Sequence, residues 1–274
     1  MTTHTPLADD HFLHDLAATV ASTDERHTVV THPLNSYLLD PSGAPSMGIL
    51  GTIIDIAGGF AAIGIAEPDW VSTSNLDIHR LGRRAVDELS ARTSVLRNGA
   101  SRIILSVEVS GTDSEGTHPV ATATMSFAVL KRRRGTPTYK LRPGEQPKWL
   151  TGGPSRYSKL LFDQIGLVDQ GAGVVSLQLS TYVRNSSKVL QGGSTAILAE
   201  AGALSAARAQ GASAPCVTDM MLRYLAPARV GPFVTDSTQP ASDRNLKATN
   251  IRLLDSGAGN RLVAWCSALV DPGS

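Results

Sequence analysis

The chain has 274 residues, of which 42% are hydrophobic and 18% charged, and its 25 Lys and Arg against 24 Asp and Glu leave a formal net charge of +1. This is the composition of a folded, core-forming chain rather than a disordered one, and it lacks the broad basic footprint of a nucleic-acid binder, so no nucleic-acid partner is expected. Cys216 and Cys266 form no CxxC pair, and no Cys or His cluster has metal-ligand spacing, so neither a metal nor a cofactor is expected.

In residues 10–21, Phe12, Leu13, Leu16 and Val20 recur at helical spacing, which predicts a short amphipathic leading helix. Acidic residues Asp9, Asp10, Asp24 and Glu25 interrupt the first thirty positions; a secretory signal is not expected, and the protein is read as cytoplasmic. Residues 28–39 read as a strand broken near Pro33, and 41–45 (Pro-Ser-Gly-Ala-Pro) as a turn.

Residues 47–66 are almost wholly apolar and about long enough to cross a bilayer. Asp55 lies at the centre of that stretch, where it would cost roughly 2.5–3.5 kcal/mol in lipid. The glycines and the lack of basic flanks also favour a buried helix of a soluble domain, with no membrane partner. Four strands are predicted next, at 71–79, 86–97, 102–110 and 119–130. In the third of these, Ile103, Leu105, Val107 and Val109 alternate with more polar neighbours, and Asn98-Gly99 and residues 113–116 supply hairpin turns.

The basic, proline-rich stretch after Leu130 reads as a linker, and the order then repeats. A helix is predicted over 156–165, a strand over 173–184, a long helix over 191–207, and strands over 217–225, 233–239, 247–254 and 261–270. Asp55 and Glu200, the only carboxylate in each long helix, are 145 residues apart. The same offset aligns Asp40 with Asn185, Ser46 with Gln191, Met47 with Gly192 and Thr73 with Thr218, so the chain reads as an internal duplication. The expected division is a first domain over 1–131, a linker over 132–154 and a second domain over 155–274. A long apolar helix followed by a meander packs by curling the sheet around the helix, and two such sheets can join edge to edge.

Glu200 lies among Ala, Ile, Leu, Gly and Ser, and a carboxylate in so dry a helix is unfavourable unless it is used. The plainer alternative is a carboxylate that faces solvent or caps a neighbouring element. A serine hydrolase is excluded by the lack of a Gly-x-Ser-x-Gly elbow. All seven histidines precede residue 119, which disfavours His-dependent hydration chemistry around Glu200.

Together, Asn185, Gln191-Gly192-Gly193, Glu200 and Tyr224-Leu225-Ala226-Pro227 resemble the signature of the hotdog-fold acyl-CoA thioesterases of the phenylacetate-degradation (PaaI-like) type. The resemblance covers residues 28–130 and 156–270. It implies an α+β double hotdog, two repeats each with a long central helix wrapped by an antiparallel sheet, acting on an acyl-CoA substrate without a cofactor. It also implies a homodimer of such double hotdogs.

By the same resemblance, the Gly192 N–H polarises the thioester carbonyl, as the positive end of a helix can. Glu200 acts as general base or nucleophile, Asn185 and Gln191 orient water or thioester, and Gly193 contacts substrate. A hydroxyl from the other hotdog positions the carboxylate: Thr73 for the Glu200 site and Thr218 for the Asp55 site. The first half departs from the signature at Asp40, Ser46 and Met47, and Asp40 would add a like charge near Asp55; the Glu200 site is therefore expected to work and Asp55 to be vestigial. Arg97 and Gly99 lie in a hairpin resembling one that contacts CoA phosphates, although a solvated hairpin tip is the simpler reading. The competing reading of the whole chain is an inactive hotdog that binds acyl-CoA or another apolar ligand.

Overall fold

The computed structural model describes residues 10–22, 27–132, 150, 152–239 and 247–273. Residues 133–149 and 151 of the expected linker lie outside the described residues. The first half comprises helix α1 (Phe12–Asp15), strands β1 (Thr19–Ser22) and β2 (Thr28–Pro33), a short 3-10 turn (Ser36–Leu38) and the long helix α2 (Met47–Ala66). Strands β3 (Trp70–Arg80), β4 (Glu88–Asn98), β5 (Arg102–Asp113) and β6 (Gly116–Leu130) follow. The second half repeats the plan with α3 (Leu161–Ile165), β7 (Val168–Asp169), β8 (Val175–Leu177) and the long helix α4 (Gly192–Ala209). It ends with β9 (Cys216–Tyr224), β10 (Phe233–Thr238), β11 (Lys247–Asp255) and β12 (Arg261–Asp271).

Among the described residues, twelve strands form one sheet in the order β1-β2-β4-β5-β6-β3-β9-β12-β11-β10-β8-β7. The alternation in β5 faces Ile103, Leu105, Val107 and Val109 into the core, where all four are buried. Each long helix is embraced by the strands of its own half, and the two helices pack on each other. At the centre of the sheet, β3 and β9 pair antiparallel with Asp77 opposite Met221, flanked by Asn75–Arg223 and His79–Asp219. That registry makes the Asp77–Met221 pair the local centre of a pseudo-two-fold relating the halves.

Both long helices begin with a side-chain cap that satisfies one of the N–H groups left free at a helix start. Ser46 accepts from the Ile49 N–H in α2, and Gln191 accepts from the Ser194 N–H in α4.

Four sequence expectations are corrected. The leading helix stops at Asp15, because Ala17 enters the left-handed region (φ 55°) and Thr19–Ser22 instead pair with Thr28–Thr31. The strand expected over 28–39 ends at Pro33 and gives way to the 3-10 turn. Only Leu161–Ile165 of the second predicted helix is helical; upstream, the Arg156 N–H donates to the Asp15 carbonyl and the Tyr157 carbonyl accepts from Asn35, so that backbone serves tertiary contacts. The strand expected over 173–184 ends at Leu177, after which the chain leaves the sheet: the Tyr182 carbonyl accepts from the Phe12 N–H and the Arg184 carbonyl lies 2.9 Å from His11 Nε2.

Candidate active site

Helices α2 and α4 approach so closely that glycine is required along their contact. A Cβ on Gly48 would come within 2.8 Å of Ile197 and 2.9 Å of Glu200, and one on Gly51 within 2.8 Å of Ala196. From α4, a Cβ on Gly192 would come within 2.5 Å of Asp55, and one on Gly193 within 2.5 Å of Thr52. The consequence is crosswise: the start of each long helix lies against the carboxylate of the other.

At the first crossing, Asp55 accepts a hydrogen bond from Gln191 Nε2 at 2.9 Å on one oxygen and from Thr73 Oγ1 at 3.1 Å on the other. Gln191 Oε1 also accepts the Ser194 N–H at 3.1 Å, and this cap fixes the amide so that its NH2 faces Asp55. Burial raises the Asp55 carboxyl to about 6, and the bonds from Thr73 and Gln191 oppose a larger rise. The Tyr224 hydroxyl donates to the Gly192 carbonyl at 3.0 Å. Among the described residues, no protein acceptor takes the N–H of Gly192 or Gly193, as is usual for the first residues of a helix.

The second crossing has the same parts but different bonds. Glu200, 1% exposed, accepts the Met47 N–H on Oε1 at 2.8 Å and the Gly48 N–H on Oε2 at 2.9 Å. Burial lifts its carboxyl to about 7; the two N–H groups and Arg80 pull it down, and Asp40 pushes it up. Arg80 and Asp40 form an ion pair at 3.1 Å, with both side chains only 2% exposed. Asp40 also closes its own turn by accepting from the Ser42 N–H and hydroxyl.

This geometry regroups the expected site residues. Glu200 does not meet Gly192, Gln191 or Thr73, because eight residues along a helix separate Gly192 from Glu200 by about 12 Å. Those three residues surround Asp55 instead. The Thr218 hydroxyl donates to the Leu269 carbonyl at 3.3 Å rather than to a carboxylate. Counted from the Asp77–Met221 centre, the residue matching Thr73 is Val217, and the next position on each strand, Ser74 and Thr218, is the extra residue of a bulge. Asp40 adds no like charge beside Asp55, since it pairs with Arg80 near Glu200.

Asn185 closes the turn before Gln191, its Oδ1 accepting the N–H groups of Ser187 at 2.9 Å and Val189 at 3.3 Å. Arg97 lies near the end of β4, paired with Ile104, and Gly99 in the turn between β4 and β5, where its N–H donates to the Arg102 carbonyl. Two participants escaped sequence reasoning: Arg80, and the hydroxyl of Tyr224. They occupy equivalent places, three residues beyond the Asp77–Met221 centre on their respective strands. The helix offset of 145 conceals that match, because the strands are related by a different one.

No family model and no curated protein matches the sequence. Solved structures do match over nearly the whole chain. A conserved protein of unknown function with a hot dog fold from Alicyclobacillus acidocaldarius is 13% identical, with a TM-score of 0.61 over 95% of this chain and 97% of the other. An acyl-ACP thioesterase from Bacteroides thetaiotaomicron is 14% identical, with a TM-score of 0.58 over 90% of this chain and 100% of the other. The fold is a double hotdog.

Proposed function

We propose that this protein hydrolyses an acyl thioester at the Asp55 centre, with acyl-CoA as the substrate class that the sequence resemblance implies. The observation that carries this reading is the pair of unpartnered N–H groups on Gly192 and Gly193 beside a carboxylate held by Gln191 and Thr73. Such N–H groups, at the positive end of α4, stabilise the oxygen of a thioester carbonyl as it gains negative charge. Asp55 is ionised at neutral pH because its carboxyl titrates at about 6. It therefore accepts a proton from a water that attacks the carbonyl, so that the C–S bond breaks and the free acid and thiol leave, or it attacks the carbonyl itself, expelling the thiol and forming an acyl anhydride that water then hydrolyses to free acid and restored Asp55.

The Glu200 centre lacks this arrangement. Its helix-start N–H groups are occupied by the carboxylate, and the place of Gly192 is taken by Met47, which is fully buried. The likeness in fold to the Bacteroides acyl-ACP thioesterase supports thioester chemistry without selecting CoA or a carrier protein.

The test is thiol release from short, long and aromatic acyl-CoAs and from acyl carrier protein thioesters, comparing wild type with Asp55→Asn. Release by wild type that is lost in Asp55→Asn is the expected result. Acyl-CoA binding without release by wild type would select the binding-protein reading instead.

A further inference from the structure

Hydrolysis at Asp55 leaves the buried charges of the second crossing without a role. Three charged side chains meet there: Glu200 on α4, Arg80 on β3 and Asp40 in the turn before α2. The pseudo-two-fold gives this cluster a direct counterpart. Glu200 stands where the first crossing has Asp55, Arg80 where it has Tyr224, and Asp40 where it has Asn185. A single carboxylate among uncharged partners on one side is thus matched by a buried ion pair and a longer acid on the other.

The helix contact gives the longer acid a mechanical meaning. Between the crossings, Gly48 lies on Ile197, Gly51 on Ala196 and Gly193 on Thr52, so the helices run at close range and a small change of register moves each carboxylate relative to the facing helix start. At one end a carboxylate takes two N–H groups, one on each oxygen. At the other, the helices are tied by the Gln191–Asp55 bond, and the Gly192 and Gly193 N–H groups stay open. An open N–H pair at a helix start attracts any carboxylate within reach. A small slide of α2 along α4 would let Asp55 settle on it, as Glu200 already has on Met47 and Gly48.

We propose that Glu200 is a positioning residue for the Asp55 centre: by fastening the start of α2 to α4, it sets the helix register that keeps Asp55 on Gln191 and off the N–H groups of Gly192 and Gly193. Arg80 and Asp40 complete the fastening, since a buried carboxylate needs compensating charge and Asp40 anchors Arg80 in place. This inference rests on the Asp55 reading, and the experiment separates the two.

Steady-state thioester hydrolysis is measured for wild type, Asp55→Asn, Glu200→Gln and Glu200→Asp, with circular dichroism and thermal melting as folding controls. Glu200→Gln cannot accept both N–H groups, and Glu200→Asp keeps the charge but is one methylene too short to bridge them. In both, kcat falls at least tenfold while KM stays within about twofold, and the acid limb of the pH–kcat profile moves from its wild-type position. A purely structural role would lower kcat only in proportion to lost folded protein and leave the pH limb in place, which overturns the proposal. Wild-type kcat in both Glu200 variants, with Asp55→Asn inactive, also overturns it and leaves the Asp55 reading intact. An active Asp55→Asn with an inactive Glu200→Gln overturns both.

Discussion

Asp55 and Gly192 come from opposite halves of the chain, yet a single methyl group does not fit between them: a Cβ on Gly192 would come within 2.5 Å of Asp55 Oδ2. The carboxylate of one hotdog and the helix start of the other therefore form one centre, and each can be tested from its own side.

Asp55→Asn removes the proton acceptor while keeping shape, although its amide retains only one of the two oxygens that accept from Thr73 and Gln191. We expect kcat to fall by about 10²- to 10⁴-fold, the usual range for loss of a positioned base, with the melting temperature within a few degrees of wild type. Thiol release on the best substrate checks this; near-normal turnover would remove Asp55 from the mechanism.

Asp55→Glu keeps the charge and adds one methylene. Glu200 shows what the longer arm does here, since it caps two helix-start N–H groups. The variant should cap Gly192 and Gly193 likewise, lowering kcat by about 10²-fold, as loss of an oxyanion donor does, while the melting temperature holds or rises.

Gly192→Ala sets a helix-favouring change against a steric one. In an open helix, Ala gains roughly 0.5–1 kcal/mol over Gly, but here its methyl group meets the Asp55 carboxylate. The clash prevails, with a net loss of about 1–3 kcal/mol, as for other overpacked sites. Urea unfolding measures the sign: a stabilised variant would contradict the crosswise contact.

Activity should rise with pH as Asp55 ionises, with the acid limb of kcat/KM centred at about 6 rather than at the ordinary value of 3.8. Profiles of kcat/KM between pH 4.5 and 8 decide this, and a limb near 4 would show that burial does not lift the group.

Stability carries a separate signature at His32, 1% exposed, whose ring burial lowers from 6.5 to about 4. The folded state holds this ring neutral, so its contribution is present above pH 6.5 and is lost as pH falls towards 4, by up to about 3 kcal/mol. Asp55 and Glu200 act in the opposite sense: both carboxyls are raised, so their contributions are present at low pH and are lost as pH climbs through about 6 and 7. Comparing His32→Leu with wild type in urea at pH 7 and pH 5 isolates the histidine: without the ring, stability should change more favourably from pH 7 to pH 5 than it does in wild type.

Much of this architecture could be read from residue order. The apolar run of α2 and the small-residue run of α4 announced two buried helices, and the alternation in β5 announced the inward face of the sheet. Partner choice was harder. An acid eight residues past a glycine looks like one site when only sequence spacing is considered, but a rigid helix holds those two groups about 12 Å apart. Only packing shows that each acid serves the opposite helix. The Arg80–Asp40 pair was equally hidden, since its two members are separated in sequence by the whole of α2 and meet only through β3.

Strands β3 and β9 join the two halves in a single sheet within one polypeptide. In an assembly of two identical chains, every codon would be written into both centres, and no position could be arginine on one side while tyrosine remained on the other. Covalent continuity removes that constraint. A change at Asp40 leaves Asn185 untouched, and Glu200 can lengthen without lengthening Asp55. The fused chain thus permits a division of labour closed to a symmetric pair, with chemistry kept at one crossing and the other free to specialise in holding it steady.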